Sequence, residues 1–110
     1  MKEFIFLVRG KDNSTAPEVL QQQMETFRAW IQELTASGKY KGGQPLVNDK
    51  ARLVRSKTEV LDEGYFLNAK QVIRGYLQIN AHDFDEATAI AQTYPLLDQF
   101  PVEVREVKGR

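Results

Sequence analysis

The sequence predicts an α+β fold in which two helices cover one face of an antiparallel sheet. Three observations point there. A strand-length apolar run, Phe4 to Val8, opens the sequence; a long amphipathic segment follows it; and after several short strands a second, well-capped helical segment precedes a last strand. Two helices with four or five strands pack most compactly as two layers around one core. At 110 residues without a cysteine, the chain is expected to form one domain over residues 1–110, held by its core rather than by disulfides.

Phe4 to Val8 does not alternate as a half-wetted strand does, so both of its faces are expected to be covered. The helices supply one cover, and the other implies a second subunit. Thr15-Ala16-Pro17-Glu18 has capping-box spacing, with a proline tolerated in the first turn. Leu20, Met24, Phe27, Ile31 and Leu34 then recur at helical spacing, with Trp30 flanking the stripe and Gly38 as a natural stop. That predicts a helix over about residues 16–37. Short, partly exposed strands are expected over 39–46 and 51–55, with a third over 58–61. Gly42-Gly43 reads as a bulge or bend rather than a phosphate loop, because no helix follows it.

Asp62-Glu63-Gly64 is a predicted turn, and residues 68–73 are long enough for one helical turn. From Gly75 to Ala81 the pattern alternates: Leu77, Ile79 and Ala81 share one face, Tyr76, Gln78 and Asn80 the other. Asp83-Phe84-Asp85-Glu86 is a second capping box. Phe84, Ala87, Ile90, Ala91 and Tyr94 form the inward face of its helix, and Pro95 ends it. The last predicted strand, 102–107, puts Val102 and Val104 on one face, and Glu103, Arg105 and Val107 on the other.

This order is that of a ferredoxin-like layer. The second sheet face combines part of the Phe4–Val8 run with Tyr76, Gln78 and Asn80. It is too apolar to be fully wet and too polar for a dry core. We therefore expect a homodimer, its two sheets packed face to face across a two-fold axis around a small cavity.

Basic and acidic side chains balance at 15 each, with no basic cluster, so no direct nucleic-acid binding is expected. The opening apolar run of five residues is too short for a secretory signal or a membrane span, which predicts a cytoplasmic protein that binds no membrane. A single histidine, His82, excludes a histidine metal cluster. No cofactor is implied. No Walker loop, dinucleotide fingerprint or Ser–His–Asp order is present, so catalysis would rest on carboxylates, Lys or Tyr, or on the reactivity of the substrate itself.

The candidate ligand-binding residues are Tyr65, Phe66 and Lys70, where a glycine turn presents two aromatics and a cation, together with Tyr76, Gln78, Asn80 and Arg105, which can line the cavity between sheets. His82 reads as a loop residue, and Asp83 and Glu86 as caps rather than metal ligands.

Nearly the whole chain resembles the YCII-related, DGPF-domain family. The shared features are Phe4–Val8, Gly42-Gly43-Gln44-Pro45-Leu46, Glu63-Gly64-Tyr65-Phe66, Lys70, Gly75-Tyr76-Leu77, Phe84-Asp85-Glu86-Ala87 and the strand Val102–Val107. Glu63 stands where the naming motif has Asp and Tyr65 where it has Pro, while Gly64 and Phe66 are kept. The resemblance implies a dimeric α/β barrel, and a superfamily that includes monooxygenases and small-molecule lyases. One branch carries a proposed His–Asp pair with an early histidine, which this sequence lacks. The leading expectation is a small-molecule-binding or regulatory dimer with its pocket between the sheets. A cofactor-free monooxygenase or isomerase is the alternative, and a ligand-free protein-interaction module the third reading.

Overall fold

A computed structural model of the chain describes residues 1–10, 17–47, 51–61 and 72–109. The elements run β1 (Lys2–Gly10), α1 (Pro17–Ala36), β2 (Tyr40–Pro45), β3 (Leu53–Ser56), β4 (Glu59–Leu61), β5 (Val72–Ala81), α2 (Phe84–Gln92) and β6 (Val102–Glu106). Four strands form one antiparallel sheet in the order β2-β5-β1-β6, and β3 and β4 form a hairpin of their own. With that hairpin set aside, the chain is β-α-β-β-α-β with the ferredoxin-like strand order. The expected α+β class is what the chain adopts. No helix among the described residues is long and apolar enough to cross a membrane.

The core lies between the sheet and the two described helices. Phe4, Phe6 and Val8 of β1 alternate inward and meet Leu77, Ile79 and Ala81 of β5, with Ala87, Ala91 and Tyr94 above them. Phe4, Phe6 and Ile79 are fully buried, worth about 1.5–3 kcal/mol each in apolar transfer. The intervening Ile5, Leu7 and Arg9 point to the opposite face and are half-buried. The apolar run thus alternates in burial although it does not alternate in character.

Helix α1 departs from expectation in two respects. Trp30, read as flanking the stripe, is its one buried residue, at 7% exposed. Its indole donates to Thr93 Oγ1 at 2.8 Å, which satisfies the polar edge of the ring. Phe27, Ile31 and Leu34 pack beside it, but Leu20 and Met24 remain 50% and 39% exposed. The predicted cap at Thr15 lies outside the described residues.

The predicted cap of α2 is present. Asp83 accepts from the Glu86 amide at 2.8 Å, and Glu86 reaches back to the His82 amide at 3.2 Å. Glu86 also pairs with Lys39, tying the turn after α1 to the start of α2. Phe84, expected to face inward, is 48% exposed: at the first residue of the helix, its ring meets Phe4 edge-on at 6.0 Å and leaves its other side to solvent.

Two irregularities shape the sheet. Gly42 has φ +149° at the point where the β2–β5 register shifts, the bulge that Gly42-Gly43 led us to expect. β5 begins at Val72, so residues 72–73 are strand where a helical turn was predicted; 68–71, and the Asp62-Glu63-Gly64 turn, lie outside the described residues. The extension is accommodated by an irregularity in the β1–β5 register between Val8 and Arg9. A charged residue just before a glycine had masked the strand start.

Candidate functional site

The expected site residues on the sheet occupy one face. Tyr76, Gln78 and Asn80 alternate along β5 away from the helices, and Arg105 of β6 joins them across β1. Ile5 sits between Gln78 and Arg105, and Leu7 between Tyr76 and Glu103, so two half-buried aliphatic side chains run down the middle of a polar frame. Glu103 accepts from Arg9 at 3.0 Å and from Arg105 at 3.2 Å. Lys41 reaches Glu3 at 2.8 Å. Ion pairs this exposed contribute at most about 1 kcal/mol each, so they order the face more than they stabilise the fold. Tyr65, Phe66 and Lys70 lie outside the described residues.

A cavity among the described residues lies on the other side of the sheet. Beneath the first half of α1 is a space of about 520 Å³, roofed by Leu20, Met24 and Phe27. Val8, Tyr40, Gly43 and Leu77 form its floor, and Tyr94, Leu96 and Phe100 close one end. Of the four expected sheet residues, Tyr76 also borders this space, while Gln78, Asn80 and Arg105 do not.

Gly43 is needed in that floor. A Cβ there would lie 2.3 Å from the Tyr76 carbonyl oxygen and 2.8 Å from a Leu77 methyl, so only glycine lets β2 lie this close to β5.

Arg74 is the one charged side chain in the lining among the described residues. Local geometry explains its placement. Val8 pairs with Gly75 and Arg9 with Ile73, so Arg74 is the extra residue of a bulge, and bulges re-aim side chains. Its guanidinium carbon stands 5.0 Å from the centre of the Phe100 ring, a cation–π arrangement. Tyr94 is buried against Trp30 at 5.5 Å and Phe27 at 6.1 Å, both edge-on. Burial pushes its hydroxyl up to about 12, with Arg74 opposing that shift, so the phenol keeps its proton at any physiological pH.

Sequence reasoning missed Arg74 and the cavity together. The available signal was the run Val72-Ile73-Arg74-Gly75, where one charge interrupts a strand-like apolar sequence just before a glycine. His82 is exposed, and Asp83 and Glu86 act as caps, in line with the structural reading of that cluster. Among the described residues no group of three or more His, Cys, Asp or Glu side chains could hold a metal.

The model of the YCII-related domain family matches residues 3–109. No curated protein matches the sequence. Among solved structures, the chain is similar to the 5-chloro-2-hydroxyhydroquinone dehydrochlorinase of Burkholderia phenoliruptrix, solved in complex with 2,5-dihydroxybenzoquinone. The two share 17% identity over 96% of this chain and 95% of that one, with a TM-score of 0.53. At that identity the likeness speaks for the fold alone.

Proposed function

The chain belongs to the YCII-related family, and from that premise we propose that it binds a small molecule in the cavity beneath α1 and works as a dimer joined through its open sheet face. The observation that carries the first part is the cavity itself. Its volume of about 520 Å³ falls in the range of small-molecule pockets, and its described walls are mainly apolar and aromatic, as those of such pockets are. The second part rests on Ile5, Leu7 and Tyr76, which are half-buried on a face that the two described helices leave uncovered. Gln78, Asn80 and Arg105 then serve the interface, where they meet the partner's sheet or enclose a second, smaller pocket.

Binding leads catalysis because the described lining is mainly apolar and aromatic, the surface that holds a small molecule. A catalyst of the dimeric α/β-barrel type is the second reading, favoured by the fold shared with a dehydrochlorinase that holds a quinone.

A thermal-shift screen of the purified chain against small aromatic and aliphatic metabolites tests the binding. A compound at 100 times its dissociation constant adds about 2.7 kcal/mol, a clear rise in Tm. No shift with any compound overturns it. Light scattering at micromolar concentration tests the dimer: the expected mass is twice 12.6 kDa, and the monomer mass removes that part of the proposal.

A further inference from the structure

We propose that the cavity beneath α1 takes a flat aromatic oxyanion of the benzoate or phenolate class, its ring among the wall rings and its anionic group between the Arg74 guanidinium and the Tyr94 hydroxyl. This rests on the reading of the cavity as a small-molecule site and adds the class of ligand.

The walls set the shape. Phe27, Tyr40, Tyr94 and Phe100 present rings to the space, and a ring inserted among them gains edge-to-face contacts beyond its area burial. Rings alone would suit a cation equally well, since aromatic faces attract positive charge. Arg74 decides the sign. A like charge at one end of an apolar cavity repels a cationic ligand, and a charge-assisted bond to a guanidinium is among the stronger contacts available to a carboxylate. Arg74 already stacks on Phe100 and makes further contact. Its five donors, on several edges of a planar group, allow it to keep those contacts while receiving a ligand oxygen.

Tyr94 supplies the second polar group. Its hydroxyl makes no hydrogen bond among the described residues, yet no fully buried side-chain oxygen or nitrogen there lacks a partner. The hydroxyl is therefore not sealed in the core, and the space that Tyr94 borders is the cavity. It remains a donor through the physiological range, as a bond to an oxyanion requires. The neighbouring Trp30 indole does not compete for the ligand, because Thr93 already accepts its proton.

Three probes distinguish this proposal from the reading beneath it: 4-hydroxybenzoate, its neutral amide 4-hydroxybenzamide, and octanoate, which has the charge without the ring. The chain contains two methionines, Met1 and the roof residue Met24, so ¹³C-methyl labelling gives a site reporter and a remote control in one spectrum. We expect 4-hydroxybenzoate to shift the Met24 methyl but not Met1, and to bind at least tenfold more tightly than either of the other probes. Arg74→Gln should abolish the preference over the amide, and Tyr94→Phe should reduce it severalfold. Equal binding of amide and acid by the native chain overturns the anion assignment and leaves the small-molecule site standing. Tighter binding of octanoate overturns the aromatic assignment. No Met24 shift with any probe overturns both. The native-chain comparisons need no variant to fold.

Discussion

The two halves of α1 carry the same apolar stripe and do different work with it. In the second half, Trp30 is 7% exposed and locked between Phe27 and Tyr94. In the first half, Leu20 and Met24 continue the stripe of Phe27, Ile31 and Leu34 but remain 50% and 39% exposed, with a cavity beneath them. The helix is packed core at one end and a roof at the other. An amphipathic pattern therefore says which side of a helix faces the fold, and leaves open whether protein fills the space below.

The sharpest way to break that comparison is to truncate one large apolar side chain in each half. Trp30→Ala should lose about 3–5 kcal/mol in urea denaturation, a large share of what a domain of this size has. Leu20→Ala should lose under about 1 kcal/mol, since its side chain is half in solvent. Equal losses would mean that the two halves pack alike. Gly43→Ala tests the opposite wall: its Cβ meets the Tyr76 carbonyl, and overpacking of this kind costs about 1–3 kcal/mol by the same measurement. Thr93→Val isolates the polar tie of the packed half. Thr93 accepts from Trp30 and donates to the Ile90 carbonyl, so the valine leaves the indole N–H unpaired, at about 1–2 kcal/mol.

The smallest effect concerns Glu86, which Lys39 holds below the ordinary carboxylate value of 4.5, chiefly through their hydrogen bond. A carboxyl with a lowered folded pKa contributes stability above its unfolded value and loses it as pH falls through the folded one. The Tm advantage of the native chain over Glu86→Gln should therefore be full at neutral pH and shrink below about pH 4.5. A difference that stays constant down to about pH 3 would show that the pair does not link α1 to α2 energetically.

What was legible in the sequence is what local chemistry determines. Asp83 and Glu86 cap α2 because a short acid three residues before another acid suits bare amides, whatever surrounds them. The alternation of Tyr76, Gln78 and Asn80 against Leu77 and Ile79 assigns faces correctly for the same reason. The start of β5 and the aim of Arg74 were not legible, because the bulge that sets both arises from register with β1, at the far end of the sequence. Nor was the cavity: Leu20 and Met24 spell a core residue as well as a roof residue, and only the placement of β2 and the segment around Phe100 separates the two.

The position of β1 has a consequence for how the chain acquires its shape. Phe4 pairs with Ile79 on one side and Glu106 on the other, so the opening strand is flanked by β5 and β6, both of which emerge from the ribosome much later. Until then Phe4, Ile5, Phe6, Leu7 and Val8 have no strand to join. The sheet can close only in a late, cooperative step that spans most of the chain, and the loop-closure entropy of that step makes folding slower than in a helical bundle of equal length. During synthesis this apolar run waits longest for its native strand partners.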